Sequence, residues 1–323
     1  MMDWAGREGV DGGLTGKNDL AGPNGRAGQP AQSPTRGGWI GMFDSGVGGL
    51  SVARELFRQL PGYPLIYLGD SAHVPYGDRS PAELLALGDA IVRHLRAAGA
   101  QRIVFACNTS SAISLPVLRE RYSGTPMVGM IDPGARAAVS ATNNGRIGLL
   151  ATQATVKSGA YEKAIRSYNP QVTVVSQAAP ALVPLVEAGR LHDRETRLAL
   201  EGYLEPLLRA GIDTLVLGCT HYPFLVPLIR QIAGPDIQII DPAVAVITTL
   251  KESLSERLSP GDHAPAASPL RLLTTGDPNR FAAAVRLFLP EKAIRKQIPK
   301  IERVVLDLVE AGTTPNPSFH HRR

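Results

Sequence analysis

Cysteine is nearly absent from this chain: its 323 residues hold two, Cys107 and Cys219. Two lone thiols make no disulfide framework. No Cys-x-x-Cys or His-x-x-x-His spacing accompanies them, so no metal site is expected. No run approaches the ~20 apolar residues that a membrane helix needs. The first residues lack a basic segment followed by an apolar one, so no secretory signal is visible and a cytoplasmic setting is expected. Aromatic residues make up 5 %, and no dense Lys/Arg block interleaves with them. The net charge of +5 therefore reads as a mildly basic surface, and neither nucleic acid nor membrane is an expected partner.

What is present is ordinary for a globular protein: 44 % hydrophobic and 20 % charged residues, in a chain long enough for one or two filled cores. Residues 1–37 are rich in Gly, with Pro, Asn, Gln and Ser and no apolar periodicity. They read as a disordered extension. From Trp39 onward, short apolar runs alternate with helical patterns. Strands are expected at 40–43, 65–68, 103–106, 126–129, 146–150, 172–176, 214–217, 237–240 and 270–274. Helices are expected at 50–60, 81–98, from 111, 158–168, 180–189, 194–210, 223–232, 242–254 and 278–288. Ser80 followed by Pro81 is a helix start. Ile131-Asp132-Pro133-Gly134 reads as a crossover, 259–268 as a Pro/Ala/Ser-rich linker, and the stretch beyond 290 as a tail. Alternation of this kind predicts an α/β fold with mostly parallel sheets in two units.

Three kinds of turn stand out. Asp44-Ser45-Gly46-Val47-Gly48-Gly49 lies between a strand and a helix, the pattern that presents backbone N–H groups to an anion. Its glycines have neither Rossmann nor Walker spacing, so a plain tight turn remains open. A loop with His73, Pro75, Tyr76 and Gly77 follows the second strand. Most distinctive are Ala106-Cys107-Asn108-Thr109 and Gly218-Cys219-Thr220-His221, each at a strand-to-helix turn. Ligands of open α/β sheets bind beyond such strand ends.

A free cysteine is usually a small buried hydrophobe. A disulfide switch stays open if the thiols approach within bridging geometry, and a single-thiol hydrolase would need only one of the two. Two thiols on opposite faces of one carbon, by contrast, suit inversion of a stereocentre: one removes a proton and the other returns one. A free thiol, pKa about 8.5, is only a few per cent thiolate at neutral pH. The helix N-termini and His221 are expected to raise that share. Asp44 and Glu187 cannot favour a thiolate by charge, but they can accept its proton. Glu187, near a helix C-terminus, is mildly misplaced as a surface residue. Ser45, Asn108, Thr109 and Thr220 are neutral donors suited to carboxylates.

Six ordered motifs together resemble the glutamate racemases, cofactor-independent members of the aspartate/glutamate racemase superfamily. They are Phe43-Asp44-Ser45-Gly46-Val47-Gly48-Gly49, Tyr67-Leu68-Gly69-Asp70, Val74-Pro75-Tyr76-Gly77, Ala106-Cys107-Asn108-Thr109, Pro133-Gly134-Ala135-Arg136-Ala137-Ala138 and Leu217-Gly218-Cys219-Thr220-His221-Tyr222-Pro223. The resemblance runs from about 40 to 245. It implies interconversion of L- and D-glutamate, supplying D-glutamate for peptidoglycan, without a cofactor. It implies that Cys107 acts on the α-proton of D-glutamate, assisted by Asp44, and Cys219 on that of L-glutamate, with Glu187 and His221 nearby. Substrate contacts are implied for Asp44-Ser45, Pro75-Tyr76-Gly77, Asn108-Thr109 and Thr220-His221. The implied fold is two pseudo-symmetric α/β domains with the site between them. The first is discontinuous, at 38–131 plus 244–290; the second spans 132–243, and 291–323 is a tail. Many members are homodimers, and a homodimer is the expected assembly. The chain departs at Ala179, where many members have a cysteine, and at His73, where Arg is common.

Overall fold

Strands buried on both faces must be apolar along their whole length, and the runs found in the sequence have this form. The computed structural model describes residues 38–255, 269–289 and 298–308. Its strands are β1 (Trp39–Asp44), β2 (Leu65–Gly69), β3 (Ala100–Phe105), β4 (Met127–Gly129), β5 (Arg146–Ala151), β6 (Thr173–Ala178), β7 (Thr214–Gly218), β8 (Gln238–Ile240), β9 (Leu270–Thr274) and β10 (Ile301–Arg303). Every residue of β2 and β7 is buried. One sheet runs β10-β9-β2-β1-β3-β4 and the other β6-β5-β7-β8. All the described pairings are parallel. The fold is therefore α/β with two parallel sheets, as expected. The first sheet takes β1–β4, then recovers the chain for β9 and β10 after the second sheet is complete.

Parallel pairing forces crossovers, and helices supply them. The helix Pro81–Ala97 shows why the local sequence suffices. Ser80 caps it, accepting from the Glu83 N–H while the Glu83 carboxylate accepts the Ser80 N–H at 2.9 Å. Pro81 sits where no N–H is needed. Leu84, Leu87, Ile91 and Leu95 then form its buried stripe.

Two expectations need correction. Ile131-Asp132-Pro133-Gly134 is the first turn of a helix, Ile131–Ala141. Proline is tolerated there because the first N–H groups of a helix have no intrahelical partner. Within the stretch read as a tail, Ile301–Arg303 pairs in parallel with Leu272–Thr274. Three residues with two charged side chains are too few for a strand pattern to show. The extension 1–37 and the linker 259–268 lie outside the described residues. Among the described residues no helix is long and apolar enough to cross a membrane.

Core packing joins the two sheets. One buried cluster holds Met42, Leu50 and Tyr67 of the first together with Leu182, Val186, Leu217 and Tyr222 of the second. It leaves the C-terminal ends of β1, β3, β5 and β7 around a common space.

Candidate active site

Two strand ends deliver the thiols. β3 leads through Ala106 to Cys107, which stands at the N-cap of the helix Asn108–Ile113. β7 leads directly to Cys219, and a 3₁₀ turn, Tyr222–Leu225, follows His221. Both cysteines are free and buried, 5 % and 6 % exposed. Both line one cavity of about 60 Å³. Ser45, Pro75, Tyr76, Gly77, Asn108, Thr109, Thr220 and His221 line it too. Asp44 and Glu187 do not.

Behind Cys219 runs a chain of three groups. Its Sγ lies 3.7 Å from His221 Nδ1, and His221 Nε2 lies 2.7 Å from Glu187 Oε1. The Val47 N–H donates to the same carboxylate oxygen at 3.4 Å. Burial alone would pull the imidazole down. The hydrogen bonds and charges of Cys219 and Glu187 overcome it and hold His221 well above its ordinary range. Burial likewise pushes Glu187 up, but the His221 bond and charge win and leave it below the usual carboxylate range. The pair is thus held as imidazolium and carboxylate.

Behind Cys107 the environment differs. Asp44 is fully buried; it accepts the Gly46 N–H at 3.0 Å and the Thr220 hydroxyl at 2.9 Å. Burial raises its pKa despite those bonds and the His221 charge. Burial and the Asp44 charge push the Cys107 thiol up to about 12, with Cys219 adding a little and Ser110 opposing. The expected gain in thiolate from the helix N-terminus is therefore outweighed. Six helical residues give a weak dipole, and a buried site next to a carboxylate penalises a second negative charge.

The Gly-rich turn is explained by contact rather than by anion binding. A Cβ on Gly48 would stand 2.5 Å from both His221 Nδ1 and Thr220 Oγ1. One on Gly49 would stand 2.6 Å from the Asp44 side chain and the Tyr67 hydroxyl. No real Cβ approaches so closely, and these atoms are held by their own bonds. The turn lets the helix Leu50–Gln59 begin against the site, where Ser51 Oγ donates to the Thr220 carbonyl at 3.2 Å.

Of the remaining polar groups, those on Thr109 and Asn108 tie the two halves together and those around Asp70 brace the Tyr76 loop. Thr109 Oγ1 lies 3.0 Å from Thr152 Oγ1 and 3.1 Å from Thr155 Oγ1, which are 2.9 Å apart. Asn108 Oδ1 accepts the Tyr161 hydroxyl at 2.7 Å. Tyr76 donates its hydroxyl to Asp70, whose other oxygen meets His73 Nδ1 and the Thr275 hydroxyl, each at 2.7 Å. Sequence reasoning missed Asp78, Thr152, Gln153, Pro180, Val183 and Pro184 in the cavity wall. Thr152 had a signal: it caps a helix directly after β5, the kind of strand end that marked the cysteines.

Known proteins are similar to this chain in sequence and in fold. The family described as Asp/Glu/Hydantoin racemase matches residues 40–250. A glutamate racemase of Desulforudis audaxviator is 48 % identical over 257 residues, covering 78 % of this chain and 94 % of its own. The crystal structure of a glutamate racemase isoform from Bacillus anthracis superposes with a TM-score of 0.75 at 38 % identity, covering 83 % of this chain and 97 % of the other. That of the Francisella tularensis glutamate racemase in complex with D-glutamate does so with a TM-score of 0.75 at 31 % identity, with the same coverage. With two parallel sheets, two buried thiols on one cavity and a match over 40–250, this chain belongs to the Asp/Glu/Hydantoin racemase family.

Proposed function

We propose that the chain is an isomerase that interconverts L- and D-glutamate at this cavity, supplying D-glutamate for peptidoglycan. One observation carries the reading: the only two thiols line the same small cavity from different sheets, each backed by its own titratable groups. In the L-to-D direction the Cys219 thiolate takes the α-proton. The C–H bond breaks, an S–H bond forms, and the electron pair stays on the α-carbon, delocalised into the α-carboxylate. Cys107 then gives its thiol proton to the opposite face and is left as thiolate. The reverse direction exchanges the two roles. His221, oriented by Glu187, stabilises the Cys219 thiolate as an imidazolium. Asp44 takes up the Cys107 proton when that thiol must act as base. Asn108, Thr109, Thr220 and Ser45 hold the substrate carboxylates and amine. A cytoplasmic homodimer accords with the family, and sedimentation velocity tests the assembly.

Proton NMR of the protein in D2O, with L-glutamate and then L-aspartate and no added pyridoxal phosphate, tests the function. Loss of the glutamate α-proton signal with D-glutamate appearing is the expected result. Exchange on aspartate instead would overturn the substrate. No exchange on either, with folded and reduced protein, would overturn the racemase reading.

A further inference from the structure

Asn108 lines the cavity, is 2 % exposed, and has an amide with an acceptor at one end and a two-proton donor at the other. Which end meets the ligand decides what the site can bind. Oδ1 is occupied by the Tyr161 hydroxyl at 2.7 Å, and Nδ2 is buried with no hydrogen-bond partner among the described residues. Among the described residues the hydroxyl's other acceptor, the Met130 carbonyl, is 3.5 Å away and already accepts the Gly134 N–H at 3.1 Å. The hydroxyl therefore donates to Oδ1. A buried donor left bare is costly unless a ligand completes it.

We propose that Tyr161 is a positioning residue: by holding Asn108 Oδ1 it turns Nδ2 toward the cavity, where it donates to a carboxylate oxygen of the substrate. Tyr161 suits this task. It is fully buried at the start of the helix Ala160–Tyr168, its ring set among Ala135, Ala138, Ile147 and Ile165. Burial also pushes its ionisation well above the ordinary range, so the hydroxyl stays a donor. The bond crosses from the second sheet's helices to the first sheet's Cys107 turn. It thus makes the polarity of that turn depend on how the two halves meet.

The inference rests on the glutamate reading, and racemisation kinetics separate the two. Tyr161→Phe removes only the hydroxyl and frees the amide to flip. KM for both enantiomers should rise about tenfold, the loss of one hydrogen bond to a charged group, with kcat changed far less. Tyr161→Phe in the Asn108→Ala background should cost nothing more. Asn108→Asp keeps an oxygen for Tyr161 but sets a carboxylate where Nδ2 stands. It should raise KM at least about a hundredfold by like-charge repulsion, with the thermal midpoint unchanged. A merely structural Tyr161 would lower the midpoint and leave KM alone. An unchanged KM in Tyr161→Phe, penalties that multiply in the double variant, or normal glutamate binding by Asn108→Asp each overturn the inference while wild-type turnover upholds the function. If Tyr161→Phe does not fold, Asn108→Asp decides. A wild type inert on glutamate overturns both.

Discussion

Glu187→Gln isolates one link of the proposed chemistry. The substitution keeps the shape and an acceptor oxygen but removes the charge that faces His221 Nε2 at 2.7 Å. Glu187 does not line the cavity, so substrate contacts are untouched and KM should hold. The bond at stake is charge-assisted and its imidazole end is 2 % exposed, which places its worth at about 1.5–3 kcal/mol. At 1.36 kcal/mol per pKa unit, that is roughly one to two units of imidazolium stabilisation, and about ten- to a hundredfold in kcat if the thiolate depends fully on it. The sign for pH follows. His221 is held well above 6.5, so its imidazolium persists through neutrality and is lost only as pH rises past the raised value. Without the carboxylate this loss begins at lower pH. The alkaline limb of kcat should therefore move down by about one unit or more. Circular dichroism of glutamate solutions over a pH series reads both quantities. A kcat within twofold of wild type and an unmoved alkaline limb would refute the role given to the Glu187–His221 pair.

Two further substitutions test the neighbouring links. Cys107→Ser and Cys219→Ser should each abolish racemisation, because a serine hydroxyl is far too weak an acid to leave a usable anion in a buried site. Near-wild-type turnover by either, measured in the same dichroism assay, would sink the two-thiol assignment. Gly48→Ala should lower kcat by at least about tenfold, because its methyl would stand 2.5 Å from His221 Nδ1 and must displace the imidazole from Cys219. A fully active alanine variant would show that the ring's placement is not critical.

The frame of this site was legible where chemistry is local. Each thiol closes an apolar run and precedes small polar residues, so the strand end, the turn and the reactive group are read together. His221 is two positions from Cys219 and shares its turn. From its own chemistry Glu187 was legible as a carboxylate misplaced near a helix C-terminus, and the family resemblance placed it near Cys219. In the structure the helix Leu182–Glu187 ends at this residue, whose carboxylate is turned onto His221. What the sequence hid depends on distant pairings. Thr109 meets Thr152 and Thr155 across more than forty positions, and Tyr161 looks like any core tyrosine in an amphipathic helix. The Cys107 environment was hidden for another reason. Position at a helix N-terminus can be read from a sequence, but the burial that overrides it cannot. β10 escaped because a three-residue edge strand has too few positions to show a period.

The two thiols are backed unequally, although the reaction they would perform is symmetric. Cys107, with its thiol pushed up to about 12 beside Asp44, rests protonated. Cys219 has His221 Nδ1 3.7 Å away, on an imidazole held well above its ordinary range. In the proposed mechanism L-glutamate needs its acid on the Cys107 side, and the resting Cys107 thiol supplies it. The unequal backing cannot favour D-glutamate as product, because the enantiomers have equal free energy in water and kcat/KM must be equal in both directions at every pH. The asymmetry must act between turnovers instead. In that mechanism each conversion of L-glutamate leaves the proton on Cys219 and an anion on Cys107, where burial and Asp44 disfavour it, and the proton must return before the next L-glutamate reacts. D-glutamate needs the opposite preparation, removal of the Cys107 proton. In the proposed mechanism Asp44, whose burial raises its own proton affinity, is the group that takes up that proton. A buried carboxylate beside a buried thiol is thus more than an electrostatic burden on Cys107. In the proposed mechanism it is also the proton store that lets one site serve both enantiomers.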